Sequence, residues 1–196
     1  MGTVYWKADE SIRSKVYRVM EQYHNELFQY EIKLGIIMAM SADEEKNAIS
    51  LHGYPVAAMI KIVALKDRVS KMYDAELLID ADLWKQSNDA RQVAIIDHEL
   101  SHIALKRKKP EKPKKGSKEA PDPVGEVIID DIGRPALKIV KADYNVGDGF
   151  MKVIQRHQDA SMETHNLNAA MTMVESALAE ETTFEEYCQE VCEKVT

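Results

Sequence analysis

His98-Glu99-Leu100-Ser101-His102 constrains this chain more than any other stretch. On an α-helix, residues four apart project one above the other, so both imidazoles can reach a single tetrahedral cation. Glu99 stands about 100° round the helix from His98. There it can take a proton from water that zinc has acidified as that water attacks a carbonyl. Such chemistry needs a helix with one side in a core and the other on a cleft. With Ile95 as origin, His98, His102 and Leu105 fall within roughly 80° on one face. Val93, Ile96, Leu100 and Ile103 occupy another face, almost opposite His98. The plainer alternative is two half-buried helical histidines beside an ordinary carboxylate. The spacing, the adjacent Glu99 and the two-faced pattern favour a metal site with His98 and His102 as ligands and Glu99 as general base.

Elements around the motif follow from periodicity and caps. Ile12, Val16, Val19, Met20, Tyr23 and Leu27 predict an amphipathic helix from Asp9 to about Gln29. Segments 31–40, 57–65 and 75–83 read as strands. Ser41 to Glu44 has capping-box form, and so do Asp89 and Gln92. The second box opens the motif helix, which is expected to run to about Arg107 with Lys106 to Lys109 at its negative dipole end. Residues 126–130 and 136–141 predict a hairpin about Gly133-Arg134-Pro135, and residues 148–158, 162–181 and 183–194 predict helices. The order of elements indicates an α+β domain with a mainly antiparallel sheet, a central motif helix and C-terminal helices. The expected division is a domain over 1–158 with a helical extension over 159–196.

Composition removes several classes. The 196 residues hold only Cys188 and Cys192, read as free thiols, so a disulfide-stapled secreted scaffold is excluded and a reducing cytosol is expected. No apolar run approaches the length of a membrane span, and no secretory signal is read at the N-terminus. Net charge is −7, yet Lys106 to Glu119 sets eight basic residues against Glu111 and Glu119. That Pro-rich loop, 106–123, is a candidate contact for nucleic acid through Lys106, Arg107, Lys108, Lys109, Lys112, Lys114 and Lys115. It lacks aromatic residues for base stacking, and a solvated loop is the alternative.

The third ligand is open from the residues alone. A metzincin would place Gly and His where this chain has Leu105 and Lys108, so that pattern is excluded. Asp143, Asp148, His157, Glu163 and His165 are the candidates beyond the loop. His24 and His52 read as structural.

The run Leu78-Ile79-Asp80, Leu83-Trp84 and Arg91 to Ile103 resembles the putative phage metallopeptidase family, related to SprT-like zinc proteases. Tyr23-His24 with Leu27, Gly53-Tyr54-Pro55, Ala58 to Ile62, Gly133-Arg134-Pro135 and Val153 to His157 extend the likeness over about Tyr23 to Gln158. The resemblance implies a small zincin-like fold, a Zn2+ cofactor, a polypeptide substrate, and His98, Glu99 and His102 in their usual roles. It also implies a third-ligand histidine ahead of a following helix, but Ala142 to Phe150 contains none. Asp143 is the nearest residue there able to ligate, and His157 resembles a more distal family histidine. The expected activity is zinc-dependent peptide hydrolysis in the cytosol, that of the bacterial host if phage-encoded. The second reading is a weak or inactive module of the same fold that binds DNA or DNA-bound protein through 106–118.

Overall fold

A computed structural model describes residues 2–43, 46–51, 53–109, 125–141, 148–164, 168 and 171–176. In chain order the elements are β1 (Thr3–Lys7), α1 (Glu10–Tyr23), α2 (Asn25–Gln29), β2 (Leu34–Ser41), β3 (Ser50–Leu51) and β4 (Tyr54–Pro55). There follow β5 (Ala58–Ile62), α3 (Leu65–Arg68), β6 (Ala75–Asp80), α4 (Ala81–Gln86) and α5 (Asp89–Ser101). Last come β7 (Ile103–Leu105), β8 (Leu137–Ile139), α6 (Asp148–His157) and a 3-10 turn at Gln158–Ala160.

The main sheet has the order β1-β2-β6-β5. β1 pairs antiparallel with β2, β2 parallel with β6, and β6 antiparallel with β5. Two small antiparallel pairs, β3-β4 and β7-β8, complete an α+β fold with mainly antiparallel pairing, as expected. β2 and β6 alternate buried Leu34, Ile36 and Met38 and Ala75, Leu77 and Ile79 with partly exposed neighbours. Those side chains join Val16, Val19 and Met20 of α1 and Ile95, Ile96 and Leu100 of α5 in one core. Burying apolar area of this kind stabilises by roughly 25 cal/mol per Å².

Four expectations change. The first predicted helix is two, because His24 caps α1 and α2 starts at Asn25. The third predicted strand ends early: Asp80 accepts from the Asp82 and Leu83 backbone N–H groups and so caps α4. Asn88, rather than Asp89, caps the motif helix, accepting from Arg91 N at 2.9 Å. That helix stops at Ser101, well short of Arg107, and β-branched Ile103 opens a strand paired with Ile139. The basic residues after it therefore do not sit on a helix terminus. The predicted hairpin forms around residues 130–134, with Asp130 N donating to Arg134 O and Ala136 N to Ile128 O.

β1 was not among the predicted strands. Residues 44–45, His52, residues 110–124, 142–147, 165–167 and 169–170 and everything after Ser176 lie outside the described residues. Among the described residues no helix is long and apolar enough to cross a membrane.

Candidate metal centre

α5 positions the motif by burying its other faces. Ala94, Ile95, Ile96 and Leu100 are buried, while His98 and His102 are half-buried. The two Nε2 atoms lie 3.3 Å apart, with the rings steeply inclined to each other. One ligand atom from each of His98, Glu99 and His102 can be chosen so that all lie within 4.8 Å of one another.

Each imidazole is held from behind. His102 donates from Nδ1 to the Val140 carbonyl at 3.1 Å, and Val140 N donates back to the His102 carbonyl at 2.8 Å. Residue 140 follows β8 directly, so the β7-β8 ladder delivers this clamp. The arm carrying it is tied to the sheet by a buried ion network: Arg68 pairs with Asp74 and Asp130, and Arg134 pairs with Asp74. His98 meets Glu163 instead, with Nδ1 to Oε1 at 2.7 Å. Burial works to raise the Glu163 carboxyl, but the hydrogen bond and charge of His98, with hydrogen bonds from the Glu163 backbone and Ser161, together outweigh it and lower the pKa. An ionised Glu163 can only accept, so His98 donates from Nδ1, as His102 does. In the neutral rings both Nε2 atoms then present lone pairs toward one point.

These residues fit a metal ion. Two nitrogens bound at 2.0–2.1 Å to a tetrahedral cation stand about 3.3–3.4 Å apart, and the observed separation is 3.3 Å. Carboxylate or carbonyl acceptors on the far nitrogens are the usual partners of metal-ligating histidines.

Glu99 is 5% exposed, and its Oε2 accepts from Ile60 N of the edge strand β5 at 2.9 Å. Burial pushes its carboxyl above the ordinary value, against the opposing pull of His98, His102 and the Ile60 N–H. A carboxylate so placed can accept a proton away from bulk water.

A second cluster lies on another side of α5. Asp97 is fully buried, and its two oxygens accept from His24 Nε2 at 2.6 Å, His157 Nε2 at 2.8 Å and Arg156 Nη1 at 3.0 Å. Arg156 also stacks over Tyr23, and His157 meets the edge of that ring. Burial works to raise the Asp97 carboxyl; the hydrogen bonds and charge of His24, with His157 and Arg156, outweigh it and lower the pKa. Asp97 was not singled out from the sequence. The available signal was an acid between Ile96 and Leu100 on the apolar side of the helix.

His157 therefore has its Nε2 on Asp97, away from the histidine pair, and Glu163 stands at the far nitrogen of His98. Asp143 and His165 lie outside the described residues, and of Asp148 only the backbone is described. A family model described as putative phage metallopeptidase matches residues 4–177. The chain belongs to this family. No curated protein and no solved structure matches it. The family implies a metal ion and a polypeptide substrate, and the His98–Glu99–His102 cluster lies within the matched span. Of the basic residues, Arg107 pairs with Glu26 and Lys108 with Glu126, while Lys106 and Lys109 are exposed; Lys112, Lys114 and Lys115 fall outside the described residues.

Proposed function

We propose that this member of the family is a zinc-dependent peptidase of zincin type, with His98 and His102 as ligands, Glu99 as general base and Asp143 as third ligand. The observation that carries this is the pair of Nε2 atoms 3.3 Å apart, both rings held through Nδ1 by oxygen acceptors. Zinc bound there supplies Lewis acidity and brings the pKa of water near neutrality. Glu99 moves the proton. Ile60 N–H engages Oε2, which leaves Oε1 to receive the proton of the attacking water and return it to the departing amine. His157 is the weaker candidate for third ligand because Asp97 engages its Nε2. Kinship with SprT-like proteases is compatible with this reading, and so is a cytosolic setting, given two cysteines in 196 residues.

The test is Glu99→Gln. It removes the proton acceptor while keeping size and the Ile60 hydrogen bond. Hydrolysis of an unfolded protein substrate should fall by at least about 10²-fold, in line with the usual contribution of general base catalysis, with zinc content unchanged. Undiminished hydrolysis in that variant would contradict the mechanism.

A further inference from the structure

A cleft of about 790 Å³ opens where α4, the β3-β4 hairpin and the N-terminal turn of α5 meet. Tyr54, Pro55, Val56, Leu83 and Met162 give it an apolar wall, and among the described residues Arg91 is the only charged one lining it. Arg91 is half-buried, and among the described residues its guanidinium has no hydrogen-bond or ion-pair partner. The other half-buried arginines among the described residues are engaged: Arg13, Arg107 and Arg134 each meet a carboxylate. A guanidinium partly removed from water with no local acceptor is poised for an incoming anion, which it binds in bidentate fashion.

The cleft connects to the candidate metal centre along both of its walls. Arg91 precedes His98 by seven residues on α5, two turns, and so lies on the same face about 10 Å away. Ala57, at the cleft, precedes Ile60, whose N–H holds Glu99, by three residues of extended chain, again about 10 Å. Both elements run from cleft to site in the same sense. Met162, on the cleft wall, adjoins Glu163, which touches His98. An extended peptide with its reacting carbonyl beside Glu99 covers that span in about three residues.

We propose that this cleft is a substrate subsite that selects a carboxylate, with Arg91 as the residue that binds it, about three residues from the bond cleaved and next to apolar side chains seated on Tyr54, Val56 and Met162. The proposal rests on the peptidase reading and names the substrate class of that site. Acidic or carboxyl-terminal groups at that position are preferred, and lysine there is disfavoured.

The experiment uses the zinc-loaded full chain and quenched-fluorescence peptides of apolar sequence carrying Glu, Gln or Lys three residues to either side of the cleaved bond. Binding of the same peptides to E99Q is measured in parallel. On one side of the bond, Glu should be preferred over Lys by about tenfold or more, the scale of one charge-assisted hydrogen-bonded pair, and the preference should appear in KM rather than kcat. Arg91→Gln should erase it and Arg91→Glu should invert it, with thermal stability unchanged because the side chain has no partner among the described residues. Cleavage that ignores the charge at both positions, or a preference that survives R91E, overturns the subsite and leaves the peptidase reading standing. If no peptide is cleaved, the peptidase reading fails. The binding arm still decides the subsite in that case: Glu-peptide affinity lost in a double variant of E99Q with R91E supports it, and affinity indifferent to charge overturns it.

Discussion

Two clusters flank α5, and they are made of nearly the same parts. One holds His98, His102, Glu99 and Glu163; the other holds His24, His157, Asp97 and Arg156. In the first, the acceptors sit behind the rings on Nδ1, so both Nε2 atoms face a common point. In the second, Asp97 lies between the rings and accepts from both Nε2 atoms and from a guanidinium. The partner of each nitrogen, rather than the kind of residue, decides which cluster can take a metal ion. A carboxylate behind an imidazole leaves its Nε2 open to a cation, and one in front makes a buried ion cluster that joins α1, α5 and α6.

Breaking the second cluster should give the largest effect on stability. Asp97→Ala leaves His24, His157 and Arg156 without their shared acceptor, and removing one partner of a buried ionic cluster costs about 3–5 kcal/mol. Chemical denaturation reads this directly. The sign with pH follows from the lowered Asp97 pKa. Its stabilisation is fully present above the ordinary carboxylate range and is lost as pH falls through the depressed folded value. Asp97→Asn should therefore flatten the acid limb of the stability profile. An unchanged acid limb would show that Asp97 is not what links this domain's stability to pH.

The sheet and the motif helix were largely legible because their signals are local. Branched residues mark β2, β5 and β6, and the His98–His102 spacing with an apolar stripe marks α5. What was missed depends on distant partners. Residues 103–107 carry no helix breaker, yet pairing with 137–139 turns Ile103–Leu105 into β7. Val4-Tyr5-Trp6 lies at the sheet edge with its side chains exposed, so no alternation betrays β1. Glu163 was visible as a candidate ligand, but only the fold reveals that it stands behind His98. Asp97 carries no motif, and its role emerges once α1 and α6 bring His24 and His157 to it.

Glu163 sharpens the comparison with a smaller expected change. Glu163→Ala should weaken zinc affinity by about 10–100-fold, as loss of a carboxylate behind a metal-ligating histidine does. Glu163→Gln should recover part of this, since its amide oxygen still accepts from Nδ1. Competition against a chromophoric chelator measures both. Equal affinity in all three proteins would mean that Glu163 does not orient His98. The smallest effect belongs to His157→Ala: zinc affinity should change by no more than about threefold, well below that outer-shell range, while stability falls. A zinc loss matching that of a ligand variant would instead assign His157 to the metal.

Zinc titration of the wild-type chain beside a His98→Ala/His102→Ala double variant tests the central claim most directly. The account predicts one zinc ion bound per wild-type chain and none held by the double variant, with both proteins folded. Equal zinc binding by the two would contradict it.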